Sequence, residues 1–362
     1  MIPQKVRNEM FMLKVQDRGD QVVKSKAYSV SCATVIKGAV QCRKFLGGSI
    51  LYVLLVMLMF IAATPATGTA ADIGAVLENV RFVSYTPRSF SVVNGRTLPA
   101  TSAGITKDLE LLHRDFNGII IYSCSNGLDH LPEIAEKLHY KAVILGIWDP
   151  KSESELQTAI RLVRQFPKTI AAVSVGNEGI YARRYRLEDV QNTIHRLRKE
   201  LPSVPLTTSE PFFLYLKPEY TAFFDQMDLL LPNIHPIFEK WFKPADISNA
   251  VAFVLNVSHD LEGRYPGKPL LVKETGLPSG PASQGFTPER QSAFWAAVLK
   301  QITPSRKFTV SCFEAFDEPW KPAVIKEDYP GDHEQEGFWG FYTTDGRPKP
   351  VISAIQSFRK SR

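Results

Sequence analysis

Cysteine is scarce in this chain. There are four in 362 residues, and their placement rules out a disulfide framework. Cys32 and Cys42 precede the one long apolar run and would stay reduced in cytosol. Cys124 and Cys312 each close an apolar strand-like stretch, where a small buried residue is the first reading. No Cys or His spacing matches a zinc site, and no metal or organic cofactor is expected. An excess of charge is also missing from most of the chain. The formal net charge is +6, but residues 1–45 hold nine Lys or Arg against three acids, which leaves 34 of each sign in the remainder. The pI near 9.0 therefore belongs to a tail and offers no footprint for nucleic acid.

Hydrophobic runs long enough to cross a bilayer are lacking too, with one exception. Residues 46–63 form an uncharged, mostly apolar stretch of 18, about the minimum for a spanning helix. Its basic N-terminal flank predicts a cytoplasmic N-terminus and an exported remainder. Small residues at Gly68 and Ala70 are spaced as before a signal-peptidase cut, so uncleaved signal-anchor and cleaved signal both stand. The expected organisation is a basic tail over 1–45, a transmembrane or signal-anchor helix over 46–63, a linker over 64–78 and a catalytic domain over 79–362. Localisation follows from that order: at the cell membrane with the domain outside the cytoplasm, in the periplasm or beyond, or secreted if the segment is cut.

What is present past residue 78 is alternation. Short apolar runs are followed by longer amphipathic ones: 79–85 then 105–116, 118–124 then 129–138, 142–148 then 154–166, 170–176 then 187–201. The series continues with 206–209 then 218–227, 228–234 then 247–261, 270–273 then 288–302, and 308–313 then 351–358. Ser152 followed by Glu155 marks the start of the third helix. Eight strand-then-helix units predict an α/β fold of the (β/α)8 TIM-barrel kind; an open doubly wound sheet is the alternative.

In a barrel the C-terminal strand ends share one rim, and the polar candidates collect there. Tyr85 follows the first strand, Tyr122 the second, Trp148 and Asp149 the third, and Asn177 and Glu178 the fourth. Glu210 ends the fifth, Asn233 and His235 the sixth, Glu274 the seventh, and Glu314, Asp317, Glu318, Trp320 and Lys321 the eighth. Glu178 and Glu274 stand out, because strands four and seven face each other across the mouth. A retaining glycosidase needs one protonated and one ionised carboxyl about 5–5.5 Å apart. Asn177 can hold a sugar hydroxyl beside the reacting centre, and Lys321 is the better-placed rim cation. Lys273, by strand alternation with Glu274, is read as pointing to the other face.

These residues carry a resemblance. Val173-Ser-Val-Gly-Asn-Glu178, Val272-Lys-Glu-Thr-Gly-Leu-Pro-Ser279, Phe313-Glu-Ala-Phe-Asp-Glu-Pro-Trp-Lys321 and Glu336-Gly-Phe-Trp-Gly340 resemble, in order, the signature blocks of the family 17 glycoside hydrolases, the β-1,3-glucanases, and most closely their bacterial and fungal-type members. The resemblance implies a (β/α)8 barrel that cleaves β-1,3-glucan with retention, Glu178 as general acid/base and Glu274 as nucleophile. It implies substrate-binding roles for Tyr85, Asn177, Asn233, His235, Glu318, Trp320, Lys321 and Glu336. Leu277 stands where the family usually has Trp, and Ile237-Phe238 where it often has an aromatic pair, so subsite platforms differ. Trp148, Phe212, Tyr215, Trp241, Trp320 and Trp339 are the aromatic candidates for sugar stacking. Three alternatives stay open: a glucan transglycosylase using the same intermediate, a related barrel acting on other β-glucan linkages, and a tethered glucan-binding protein without activity.

Overall fold

The computed structural model describes residues 72–328 and 331–360. The basic tail, the apolar segment 46–63 and the linker up to residue 71 lie outside the described residues. No helix among the described residues is long and apolar enough to cross a membrane.

The architecture is parallel-strand α/β. Strands Phe82–Ser84, Gly118–Ile120, Ala142–Ile147, Ile170–Asn177 and Leu206–Ser209 pair in chain order, all parallel. Leu270–Val272 and Phe308–Val310 form a second parallel pair. Parallel bridges join the two sets: Pro211 to Asn233, Leu230 to Leu270, Asn233 to Glu274, and Val83 to Cys312. Each of the eight stretches thus has a parallel neighbour on both sides, and the ring closes as the TIM-barrel expectation requires. The sixth stretch, expected as a strand over 228–234, pairs only through isolated bridges. Pro232 has no N–H to give a ladder, so regular pairing breaks there.

Two hydrophobic layers follow from the strand pleat. Phe82, Ile120, Ala142, Ile144, Ala172, Leu229, Leu231 and Leu271 fill the inner layer. Their alternating neighbours, such as Val83, Ile119, Val143, Val173 and Leu270, pack outward with the helices. Helix Leu187–Glu200 buries Val190, Thr193, Ile194 and Leu197, an i, i+3, i+4, i+7 stripe. Thr101, Ser152, Asp246 and Thr287 each accept the backbone N–H three residues on and so start their helices.

Three departures from the sequence reading have physical causes. Residues 73–79, expected as linker and the opening of a strand, form a helix capped by Asp72; its Leu77 joins Val80 in closing the inner layer. The fifth helix, expected over 218–227, is broken into Phe212–Leu216 and Thr221–Phe224, because Pro218 holds Lys217 extended. The loop after the first strand carries an unexpected hairpin, Ser91–Val93 against Arg96–Leu98. Its turn is Asn94-Gly95, both at positive φ, 50° and 70°.

Candidate active site

Glu178 sits where the fourth strand turns sharply. Gly176 has φ +82°, and Glu178 itself is left-handed at φ 52°, a conformation non-glycine residues seldom adopt. Three anchors hold it there. The Glu178 N–H donates to Ser209 O at 2.8 Å, and the Gly179 N–H to the Tyr185 hydroxyl at 3.1 Å. The buried Glu210 carboxylate accepts the N–H groups of Ile180 at 2.9 Å and Tyr181 at 3.1 Å. A Cβ on Gly179 would lie 2.0 Å from the Tyr185 ring, so this position has no room for a larger residue.

The sixth stretch links the two glutamates. Asn233 donates its Nδ2 to Glu178 Oε1 at 2.9 Å and is bridge-paired with Glu274, while the Ile234 N–H reaches Glu274 O at 2.8 Å. His235 Nε2 lies 3.3 Å from Glu274 Oε2. On the other side of that carboxylate, Lys273 Nζ is 3.3 Å from Oε1. Lys273 corrects the sequence reading. Leu271 belongs to the inner layer, so alternation sends Lys273 inward, and the chain's turn after the strand swings Glu274 to meet it. The lysine is 1 % exposed, donates to Asn177 Oδ1, and sits 4.2 Å over the Tyr122 ring.

The environments of the two carboxyls differ in sign. Burial works to raise Glu274, but Lys273 and His235, with Lys321 further off, outweigh it and hold the group down at about 2. Burial raises Glu178, the charge of Glu274 adds to it, and the Asn233 hydrogen bond only partly opposes. One group is thus kept as carboxylate while its neighbour is biased to carry a proton.

A second cluster lies under the eighth strand end. Lys321 Nζ contacts both oxygens of buried Glu314 at 2.7 Å and Glu318 Oε2 at 3.2 Å. Glu336 accepts from the Trp339 indole at 3.0 Å, and buried Trp339 packs against His235 with ring centres 5.2 Å apart. Trp320 packs edge-on against Phe90, at 5.5 Å. Tyr85 stands apart from the cleft: its buried ring lies in the outer layer, its hydroxyl donating to Asp108 at 3.0 Å. Of the aromatic candidates Trp148 and Trp241 are exposed, Arg184 lying 4.0 Å over the Trp148 ring, whereas Tyr215 and Trp339 are buried. Leu277 is fully buried, and Phe238 is exposed edge-on to His235. Cys124 and Cys312 are buried free thiols. Among the described residues no group of three or more His, Cys, Asp or Glu is arranged to hold a metal ion.

A carboxyl held ionised and a second one biased toward its protonated form, at the mouth of one parallel barrel, suit the chemistry of a glycoside hydrolase. The chain belongs to the BtgE/BtgC glycoside hydrolase domain family, whose model matches residues 83–340. It is 25 % identical over 265 residues to a glucan 1,3-β-glucosidase of Arthroderma benhamiae, covering 68 % of this chain and 83 % of that protein. A probable glucan endo-1,3-β-glucosidase of Aspergillus fumigatus is 23 % identical over 324 residues, 78 % of this chain and 45 % of its own length. The chain thus spans less than half of some of the curated relatives it matches. Among solved structures, the family 17 β-1,3-glucanosyltransferase of Rhizomucor miehei superposes with TM-score 0.57 at 20 % identity, over 75 % of this chain and 96 % of that one. An endo-laminarinase from Formosa gives 0.60 at 18 %, over 80 % and 89 %. These two share the fold.

Proposed function

We propose that this domain cleaves β-1,3-linked glucan with retention of configuration, through a covalent intermediate on Glu274. The observation that carries the proposal is the opposed state of the two linked glutamates, Glu274 held ionised and Glu178 biased toward its protonated form. In the first step a Glu274 oxygen attacks the anomeric carbon. The bond from that carbon to the leaving oxygen breaks, and the leaving oxygen takes the Glu178 proton. In the second step Glu178, now ionised, removes a proton from an incoming hydroxyl whose oxygen displaces Glu274 as carboxylate. Water as acceptor gives hydrolysis, and a glucan hydroxyl gives transfer. Asn233 and His235 border the reacting sugar through their contacts to Glu178 and Glu274, and Asn177 lies beside Asn233 and Lys273. Glu318, Lys321, Glu336 and Trp320 form the far wall.

The linkage is supported by the β-1,3-glucan names of the relatives and by a laminaritriose complex of the Rhizomucor enzyme. Turnover of laminarin beside β-1,4, β-1,6 and β-1,2 glucans tests it, and no release from laminarin would defeat it. Products longer than the substrate would identify a transferase. Roles are tested separately. Glu274→Gln should have no measurable turnover, and Glu178→Ala should lose about 10²–10⁴-fold on glucan. The Glu178 variant should recover with azide on a dinitrophenyl glycoside, giving the retained glycosyl azide. Inverted glycosyl azide from the Glu178 variant, or retained azide from the Glu274 variant, would exchange the assignments.

The same reading places the domain outside the cytoplasm, tethered through residues 46–63 unless that segment is removed. The support is the basic flank before the apolar run and the neutral balance after it. External protease should digest the domain in spheroplasts. Protection equal to that of a cytosolic marker would reject this topology.

A further inference from the structure

We infer that Lys273 is a positioning residue of the glycosyl-transfer site, holding the Glu274 carboxylate and the Asn177 amide in their working orientation from beneath. The inference rests on the proposed retaining mechanism and adds a member to it. The residue is 1 % exposed and directly follows strand Leu270–Val272, with Glu274 next in the chain. A buried ammonium is costly unless every hydrogen finds a partner. Here Nζ has Asn177 Oδ1, Ser209 Oγ at 3.4 Å and Glu274 Oε1 at 3.3 Å, with the Tyr122 ring face at 4.2 Å. Those partners come from strands four, five, seven and two, so the lysine ties the floor of the mouth together.

Each contact has a chemical consequence. Glu274 Oε2 is engaged by His235 at 3.3 Å, and the buried Oε1 by the charge of Lys273 at 3.3 Å. The lysine therefore stabilises the anion and fixes the rotation of the carboxylate. At Asn177 the amide oxygen is taken by Lys273, with Asn233 Nδ2 a further 3.5 Å contact, so the amide turns its NH2 toward the cleft as a donor to a sugar hydroxyl. The groups facing this centre are Glu178, Glu210, Tyr122, His235, and, from the eighth strand end, Glu314, Glu318 and Lys321. Lys321 is occupied by Glu314 and Glu318, which leaves Lys273 as the ammonium in contact with Glu274.

Lys273→Met keeps the stem and removes the charge; Lys273→Arg keeps the charge. Both are assayed on dinitrophenyl β-laminaribioside, which needs no proton from Glu178. The expected result for a folded Lys273→Met protein is a kcat lower by about 100-fold with KM within about threefold. The acidic limb of its kcat/KM profile should move up by about one pH unit or more. Lys273→Arg should keep the wild-type limb. An unmoved acidic limb in Lys273→Met, at any rate, overturns the inference. Should that variant not fold, the wild-type limb decides: below the ordinary glutamate value of 4.5 it supports the inference, and at or above it refutes it. Wild-type protein without turnover would instead defeat the mechanism on which the inference rests.

Discussion

Replacing Glu210 by Gln changes one atom type in a fully buried side chain and tests how the acid/base turn is held. Its carboxyl receives two N–H donors, one on each oxygen, from Ile180 at 2.9 Å and Tyr181 at 3.1 Å, and the hydroxyl oxygen of the protonated form still accepts. An amide has one acceptor oxygen and one NH2, so in either flip a backbone donor meets a donor. Leaving one buried N–H unsatisfied costs about 1–3 kcal/mol, and Tm should fall by roughly 2–10 °C. The loss falls on a turn whose Glu178 is left-handed at φ 52°, a conformation that itself costs about 1–2 kcal/mol. Relaxation there moves the carboxyl that must meet the leaving oxygen. A displacement of about 1 Å lowers kcat by around 100-fold, so a fall of about 10–100-fold with little change in KM is expected. Calorimetry and laminarin kinetics read both quantities. Burial also pushes the Glu210 carboxyl up to about 8, above its ordinary 4.5. Its contribution to stability is therefore full below 4.5 and lost as pH rises through about 8, a slope that the Gln variant should lack. A Glu210→Gln protein with Tm within about 1 °C and kcat within about twofold of wild type would refute this account of the turn.

Two further predictions use other parts of the site. Gly146→Ala would put a Cβ 2.3 Å from both Ile121 O and Tyr122 C; backbone cannot swing aside, so urea unfolding should show a loss of at least about 2 kcal/mol, and a smaller loss would mean that the strand pair is loosely packed. The kcat/KM profile should be bell-shaped, with the acidic limb below 4.5 from Glu274 and the alkaline limb above 4.5 from Glu178. The alkaline limb should vanish in Glu178→Gln on an activated substrate; its persistence would assign it to another group.

Much of this molecule is legible in the sequence because it depends on periodicity. The period of 3.6 in Leu187–Glu200 and the buried apolar strands need only local pattern, and the boundaries of most elements lie within three residues of the expected ones. The hairpin at Asn94-Gly95 had a local signal that the alternation reading passed over. The sixth stretch and the broken fifth helix turn on prolines whose effect depends on their neighbours in space. At the site the legible part was which glutamates matter. The illegible part was direction: a strand end leaves the pleat, so Lys273 and Glu274, adjacent in sequence, reach one cleft. Tyr85 is the converse case, a strand-end aromatic that alternation sends outward to Asp108. Glu155 is another, since its carboxylate accepts from Ser123, Cys124, Trp148 and Asp149 and so joins two strand ends, beyond the helix start that its spacing implied.

The division of labour between the two glutamates follows from where two lysines are placed. Five carboxyls surround the mouth, Glu178, Glu210, Glu274, Glu314 and Glu318, and Lys273 and Lys321 are the ammonium groups among them. Lys273 contacts Glu274, and Lys321 contacts Glu314 and Glu318. Among the described residues no ion pair reaches Glu178 or Glu210, and both are raised, burial being the largest cause in each. Burial favours the protonated form; at Glu274 the charge of Lys273 and the contact with His235 outweigh it, whereas Glu314 is raised despite its contact with Lys321, burial and the neighbouring Glu318 prevailing there. The acid/base and the nucleophile therefore need not differ in residue type or in the kind of strand that carries them. They differ because one strand bears a lysine just before its glutamate and the other bears an asparagine, whose amide oxygen that same lysine holds.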